Sequence, residues 1–218
     1  VISLLQKPKS GRIEMAVNTK TPVRRLFPVY FLVDASGSMN ENGKWKVVYD
    51  LLKQCFGQFK DSPDPDFEIV LTLLLMQSGD VVVEWESEPI KNVQLSELSS
   101  SGMSKYSVGL EKLSALLKEA SLPPNAHTPC VLLIGDGHAD PEFENALGKC
   151  LKEDSFSKTT RIVVGVGSDF EASKLKGFVS SPSNFFTVMD IATMPYFYMR
   201  LASAINSQAS QTTSRRLL

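Results

Sequence analysis

Along this chain the hydrophobic period changes several times, and each change marks an element. Phe27-Pro-Val-Tyr-Phe-Leu-Val33 is unbrokenly apolar, aromatic or β-branched, the pattern of a strand covered on both faces in the middle of a parallel sheet. It ends at Asp34. From Lys44 to Phe59 the apolar residues Trp45, Val48, Leu52, Cys55, Phe56 and Phe59 recur at steps of three and four, which predicts an amphipathic helix. Asp61-Ser-Pro-Asp-Pro65 is a turn, because its prolines remove backbone donors and restrict the residues before them. Two strands follow, Phe67 to Gln77 and Asp80 to Trp85. Ser78-Gly79 links them, and so short a link joins antiparallel neighbours. The second reads as a sheet edge, with Glu84 and Glu86 discouraging further pairing.

The serine-rich stretch from Ser87 to Lys105 is expected to be a long surface loop. Tyr106, Leu110, Leu113, Leu116, Leu117 and Ala120 then share one helix face, and Pro123-Pro124 stops it. The same rhythm continues with a strand at Cys130–Ile134, a helix carrying Phe143, Ala146, Leu147, Cys150 and Leu151, and a strand at Arg161–Gly165. A brief helix near Ala172 to Lys176, a strand at Phe185–Val188 and a closing helix with Phe197, Leu201, Ala204 and Ile205 complete it. Alternating strands and helices predict an α/β fold: a doubly wound, mostly parallel six-stranded sheet with one antiparallel edge strand and helices on both faces. We expect one domain over 25–207, an N-terminal extension over 1–24 that is frayed to about residue 20, and a polar tail over 208–218. Val1 stands where an initiator Met would, as in a processed or truncated chain, and the start takes no part in the site argument.

Composition narrows the function classes. The 218 residues are 43% hydrophobic and 22% charged, a globular balance. Lys and Arg (23) nearly cancel Asp and Glu (24), so no net field draws the chain to nucleic acid or an anionic bilayer. No apolar run approaches the roughly 18 residues of a membrane span. Cys55, Cys130 and Cys150 lie far apart in apolar stretches and read as buried thiols of a reducing, cytoplasmic compartment.

Ligands of a doubly wound sheet bind beyond the carboxyl ends of its strands, where the strand order reverses. There the first strand runs into Asp34-Ala-Ser-Gly-Ser38, and the strand ending at Ile134 runs into Gly135-Asp136-Gly137. Extended backbone has period two, so residues 34, 36 and 38 can face one spot, and Gly37 lets the chain bend. Ser104, in the loop before the next helix, would add a fifth oxygen side chain. Oxygen ligands without sulfur or imidazole suit a hard dication, and Mg²⁺ commonly takes one or two carboxylates while keeping exchangeable waters.

Asp34-x-Ser36-x-Ser38, the hydroxyl of Ser104 in Ser101-Gly-Met-Ser-Lys-Tyr-Ser-Val-Gly-Leu110, and Asp136 in Gly135-Asp-Gly137 resemble the three loops of a von Willebrand factor A domain, in that family's order. The resemblance covers about residues 25 to 207 and implies a metal-ion-dependent adhesion site. It implies Ser36, Ser38 and Ser104 as direct ligands of Mg²⁺, or of Mn²⁺ or Ca²⁺, and Asp34 and Asp136 acting mostly through water. A protein partner's Asp or Glu would complete the shell. Two positions depart from the family pattern: Ser104 replaces a Thr, losing a methyl that stiffens the rotamer, and Gly135 replaces a Thr before the aspartate, from which a looser third loop is expected. Within the family, Arg24-Arg-Leu-Phe-Pro-Val-Tyr-Phe-Leu-Val-Asp-Ala-Ser-Gly-Ser-Met39 and Leu201-Ala-Ser-Ala-Ile-Asn-Ser207 are similar to bacterial TerY-type tellurite-resistance proteins. That narrower resemblance implies an intracellular adaptor beside a protein kinase and a metal-dependent phosphatase in a stress-response complex.

Other readings are weaker. Asn40, Lys105 and His138 flank the proposed centre and could form a partner-binding rim, although solvated side chains are the commoner outcome there. His127 has less to recommend it. A serine hydrolase lacks its Gly-x-Ser-x-Gly elbow, and a phosphatase with Asp34 as nucleophile would want a second aspartate where Ser36 stands. Gly165-Val-Gly167-Ser-Asp-Phe170 opens like a dinucleotide loop but has Phe170 in place of the third glycine, so it reads as a plain strand-to-helix turn. Trp45 and Tyr196-Phe-Tyr198 read as packing residues. The expected function is a non-catalytic, Mg²⁺-dependent protein-binding module. The competing class is a metal-dependent hydrolase or phosphatase using the same cluster, and a third is a structural subunit whose site has decayed.

Overall fold

The computed structural model describes residues 24–61 and 67–188. Strands β1 (Arg25–Asp34), β2 (Phe67–Gln77), β3 (Asp80–Pro89), β4 (Cys130–Gly135), β5 (Thr160–Val166) and β6 (Phe185–Val188) form one sheet. Helices α1 (Lys44–Asp61), α2 (Tyr106–Glu119), α3 (Phe143–Cys150), α4 (Asp154–Ser157) and α5 (Ala172–Leu175) connect them. The strand order is β3-β2-β1-β4-β5-β6. Every pairing is parallel except β2 with β3, as the hydrophobic pattern predicts. The expected closing helix at 197–205, the two frayed ends and Tyr196–Tyr198 lie outside the described residues, and no described helix is long and apolar enough to cross a membrane.

The alternation of β1 explains the two layers. Phe27, Val29, Phe31 and Val33 pack on the face covered by α1, through Val48, Leu51, Leu52, Cys55 and Phe56. Tyr30 and Leu32 point the other way, against Leu110 and Leu113 of α2 and Phe143, Ala146 and Leu147 of α3. Both faces of a central strand are therefore dry, and a continuous apolar run is what that position demands. Phe31 is fully buried and meets Phe56 edge to face at 5.4 Å. Removing such a ring typically costs about 3–5 kcal/mol. The three cysteines are buried.

Two expectations change in detail. β3 runs to Pro89, beyond Trp85. The stretch after it opens with a 3-10 turn at Ile90–Asn92 and continues as the expected loop to Lys105, but with Ile90, Val93 and Leu98 buried in the α1-side core. Three apolar side chains spaced through this serine-rich segment anchor its first half, which composition alone conceals.

Candidate metal centre

β1 and β4 are parallel neighbours, with Val33 level with Ile134. From β1 the chain winds outward to β2 and β3, then returns to β4 on the other side of β1. The reversal point lies between the carboxyl ends of β1 and β4, so Asp34 and Asp136 stand at the switch point of the sheet. Asp34, Ser36 and Asp136 are buried. Ser36 has extended backbone (φ −72°, ψ 166°), which keeps the period of two that aims Ser36 and Ser38 together. Their hydroxyls lie 3.0 Å apart, and Ser38 Oγ donates to Asp136 Oδ2 at 2.9 Å. Ser36 N–H donates to Asp34 Oδ1 at 2.9 Å, closing a local turn.

Each carboxylate has a second set of donors that pattern reading misses. The Tyr106 hydroxyl donates to Asp34 Oδ2 at 2.8 Å and accepts from Gly137 N–H at 3.3 Å. Lys44 Nζ donates to Asp136 Oδ2 and to Asp169 Oδ2, each at 3.0 Å. His138 meets Asp136 Oδ1 through its backbone N–H at 3.3 Å and its Nδ1 at 3.0 Å, and its Nε2 lies 3.8 Å from Glu171. These surroundings drive the two carboxyls apart. Burial pushes Asp34 above the ordinary carboxylate range, against hydrogen bonds from Ser36 and Tyr106 and with the Asp136 charge adding to the rise. Burial pulls Asp136 upward too, but bonds from Lys44, His138 and Ser38 outweigh it and hold that carboxyl below the ordinary range. Burial and the Asp34 charge raise the Tyr106 phenol well above its ordinary value, so it stays a neutral donor.

The second loop is fixed by backbone bonds on both sides. Ser101 N–H donates to Ala35 O at 2.8 Å and Gly37 N–H to Gly102 O at 2.7 Å, while Gly79 N–H reaches Met103 O at 2.7 Å. Gly102 has φ +64°, and a Cβ there would lie 2.8 Å from Ser78 Cα, so only glycine suits this approach. Ser104 is half-buried on this stapled loop. Among the described residues its hydroxyl joins no hydrogen bond, so the structure does not tie Ser104 to the Asp34–Ser36–Ser38–Asp136 cluster. Met103 beside it is 74% exposed.

The expected rim divides. Asn40 is a clamp: its Nδ2 donates to Ser100 O at 3.1 Å and its Oδ1 accepts from Ser100 Oγ at 2.7 Å. Lys105 is exposed, and His138 is half-exposed but bonded to Asp136. His127 is buried edge-on against Phe27 and Phe67. Trp45 packs on the core and donates to Leu98 O at 3.1 Å. The Phe170 ring occupies the space a side chain at Gly165 would need, which is core packing where a dinucleotide loop would keep room for phosphate. The third loop is not loosened by Gly135: the Tyr106 hydroxyl fills the space a side chain there would take.

The donor set fits a hard dication. Two hydroxyls and two carboxylates converge without sulfur, and Ser36, Ser38 and Asp136 already form one chain of contacts. A second grouping overlaps it: Asp136, His138 and Asp169 bring ligand atoms within 4.8 Å of one another.

Residues 29–200 match the profile of the von Willebrand factor type A domain, and the chain belongs to that family. Among solved structures, the open conformation of the pilus adhesin SpaC from Lactobacillus rhamnosus GG superposes with a TM-score of 0.67 at 12% identity, over 83% of this chain and 30% of the adhesin. Proximal thread matrix protein 1 from the mussel byssus, with a zinc-occupied MIDAS motif, gives 0.58 at 19% identity over 82% of this chain and 46% of its own. Manganese-loaded TRAP protein of Plasmodium vivax gives 0.56 at 16% identity over 76% and 69%. At these identities the likeness is one of fold. The chain spans less than half of the adhesin and of the byssus protein. No curated protein matches it in sequence.

Proposed function

We propose that this domain is a non-catalytic, metal-dependent protein-binding module whose centre, built on Asp34, Ser36, Ser38, Ser104 and Asp136, receives an Asp or Glu side chain of a protein partner. The observation that carries the reading is the chain of contacts Ser36–Ser38–Asp136 at the mouth of β1 and β4. Bound there, Mg²⁺ would supply residual positive charge and an exchangeable coordination position for the partner's carboxylate. Ser36 and Ser38 offer the neutral oxygens, Asp34 and Asp136 the balancing charge, and Ser104 a third hydroxyl on a loop fixed to Ala35 and Gly37. A relative in fold with a zinc-occupied MIDAS motif and another that is manganese-loaded support the same reading.

The arrangement favours binding over hydrolysis. In this reading Asp34 and Asp136 balance the charge of the dication, so neither is spare as the general base that a hydrolase or phosphatase would need. In its narrowest form the reading makes the domain an intracellular adaptor of the TerY type, beside a protein kinase and a metal-dependent phosphatase. The sequence resemblance over 24–39 and 201–207 supports this form.

Thermal denaturation in Mg²⁺, Mn²⁺, Ca²⁺ or chelator tests the centre. A dication at a hundred times its Kd adds about 2.7 kcal/mol to the folded state. Asp34→Ala and Ser36→Ala should each abolish the rise in Tm. A rise that survives both variants, or none in the unaltered protein, overturns the proposal, and phosphoester turnover lost in Asp34→Ala would put the enzyme in its place.

A further inference from the structure

Lys44 opens α1 with its side chain 2% exposed, and burying an ammonium is costly unless it meets compensating charge. Its stem lies along Gly167, where a Cβ would come within 2.7 Å of Lys44 Cδ, so the β5 loop is shaped to admit it. Its Nζ bridges Asp136 and Asp169 at 3.0 Å each. Among the described residues no other lysine or arginine forms an ion pair with Asp34, Asp136 or Asp169. The oxygen it holds, Asp136 Oδ2, is the same one that accepts from Ser38. Burial works against the charged form, but the bonds from Asp169 and Asp136 prevail and raise the Lys44 pKa above its ordinary value.

We propose that Lys44 is a resident counter-cation of the metal centre, neutralising Asp136 when no dication is bound and weakening dication affinity by remaining beside it. The inference rests on the metal reading of the Asp34–Ser36–Ser38–Asp136 cluster and adds a residue that sets how readily the centre fills and empties. Like charges at short range in a partly desolvated site repel strongly, so an ammonium on Asp136 opposes a dication approaching the same carboxylate. It also accounts for the grouping of Asp136, His138 and Asp169: the Lys44 ammonium, bonded to both carboxylates, is the cation of that cluster.

The test uses chelator-stripped protein, Mg²⁺ or Mn²⁺ titrated by calorimetry, and melting curves with and without the dication. Lys44→Met keeps the stem and removes the charge. It should melt lower than the unaltered protein in chelator, recover most of that deficit at saturating dication, and bind the dication at least about tenfold more tightly. Lys44→Arg should keep the weaker affinity. A lysine that merely props up the fold would give Lys44→Met the same deficit with and without dication and an unchanged Kd, and that result overturns the inference. Lys44→Gln serves if Lys44→Met fails to fold: it keeps a polar head between the carboxylates without the charge and should also tighten dication binding about tenfold. Unchanged binding there overturns the inference as well. If the unaltered protein binds no dication, the metal reading fails and this inference falls with it; if it binds and the variants match it, this inference alone falls.

Discussion

Tyr106 and Gly135 divide one space between them: a Cβ at position 135 would collide with the Tyr106 hydroxyl, and the hydroxyl uses that room to reach Asp34 Oδ2 at 2.8 Å. The residue that departs from the family pattern in the third loop is thus matched by an aromatic donor at the start of α2. Gly135→Ala should destabilise the domain by about 1–3 kcal/mol, as overpacking does, in urea denaturation. Tyr106→Phe should restore part of that loss. Full restoration is not expected, because Asp34 Cβ also lies 2.7 Å from the added carbon.

Asp34 and Asp136 should respond to pH in opposite senses. Burial raises the Asp34 pKa, so the folded chain holds that proton more tightly than the unfolded one. Stability in chelator therefore grows from this group as pH falls through its raised value towards the ordinary 3.8. Dication binding needs the carboxylate, so the metal-induced rise in Tm should shrink over the same window. Asp136 is held low by its donors, and the stability it gives is present above 3.8 and lost as pH falls below that value. Asp34→Asn should melt no lower than the unaltered protein in chelator at pH 7 and lose the metal response; a lower melting point there would contradict the stated cost of burying this charge.

Asn40 connects the first loop to the second through its two bonds with Ser100. Asn40→Ala should cost about 0.5–1.5 kcal/mol of stability and weaken dication binding, because Ser104 sits on the loop it releases. Calorimetric titration of the variant against the unaltered protein reads both effects. Equal affinity would show that the backbone bonds of Ser101 and Gly102 hold the loop without help.

Far from the centre, Arg161 is buried and its guanidinium donates to the carbonyls of Phe178, Phe156, Ser157 and Thr159 at 2.9–3.1 Å. It has no carboxylate partner among the described residues, and burial lowers its pKa. Arg161→Met should destabilise the domain by about 3 kcal/mol, since several buried carbonyls lose their donor together. Its dication affinity should match that of the unaltered protein, which separates this anchor from the residues around Asp136.

Much of the fold was legible because each element had to satisfy a local rule. β1 is buried on both faces and so has to be apolar throughout, and β2 and β3, two residues apart, have to be antiparallel. The Asp34, Ser36, Ser38 and Asp136 cluster was legible for a similar reason, since strand period and the switch point together dictate where those oxygens stand. Ile90, Val93 and Leu98 were hidden by the serines around them.

The elements, the antiparallel link between β2 and β3, and the oxygen-rich loops that follow β1 and β4 come from short-range pattern, because side-chain period and turn length are properties of neighbours in the chain. The order that sets β1 beside β4 is tertiary. Lys44, Tyr106 and Asp169 acquire their roles only in three dimensions. Lys44 lies 92 residues from Asp136 and 125 from Asp169, and nothing local distinguishes it from an exposed lysine at a helix start. Packing decides the matter by closing water out around it, and once water is gone a charge must find another charge.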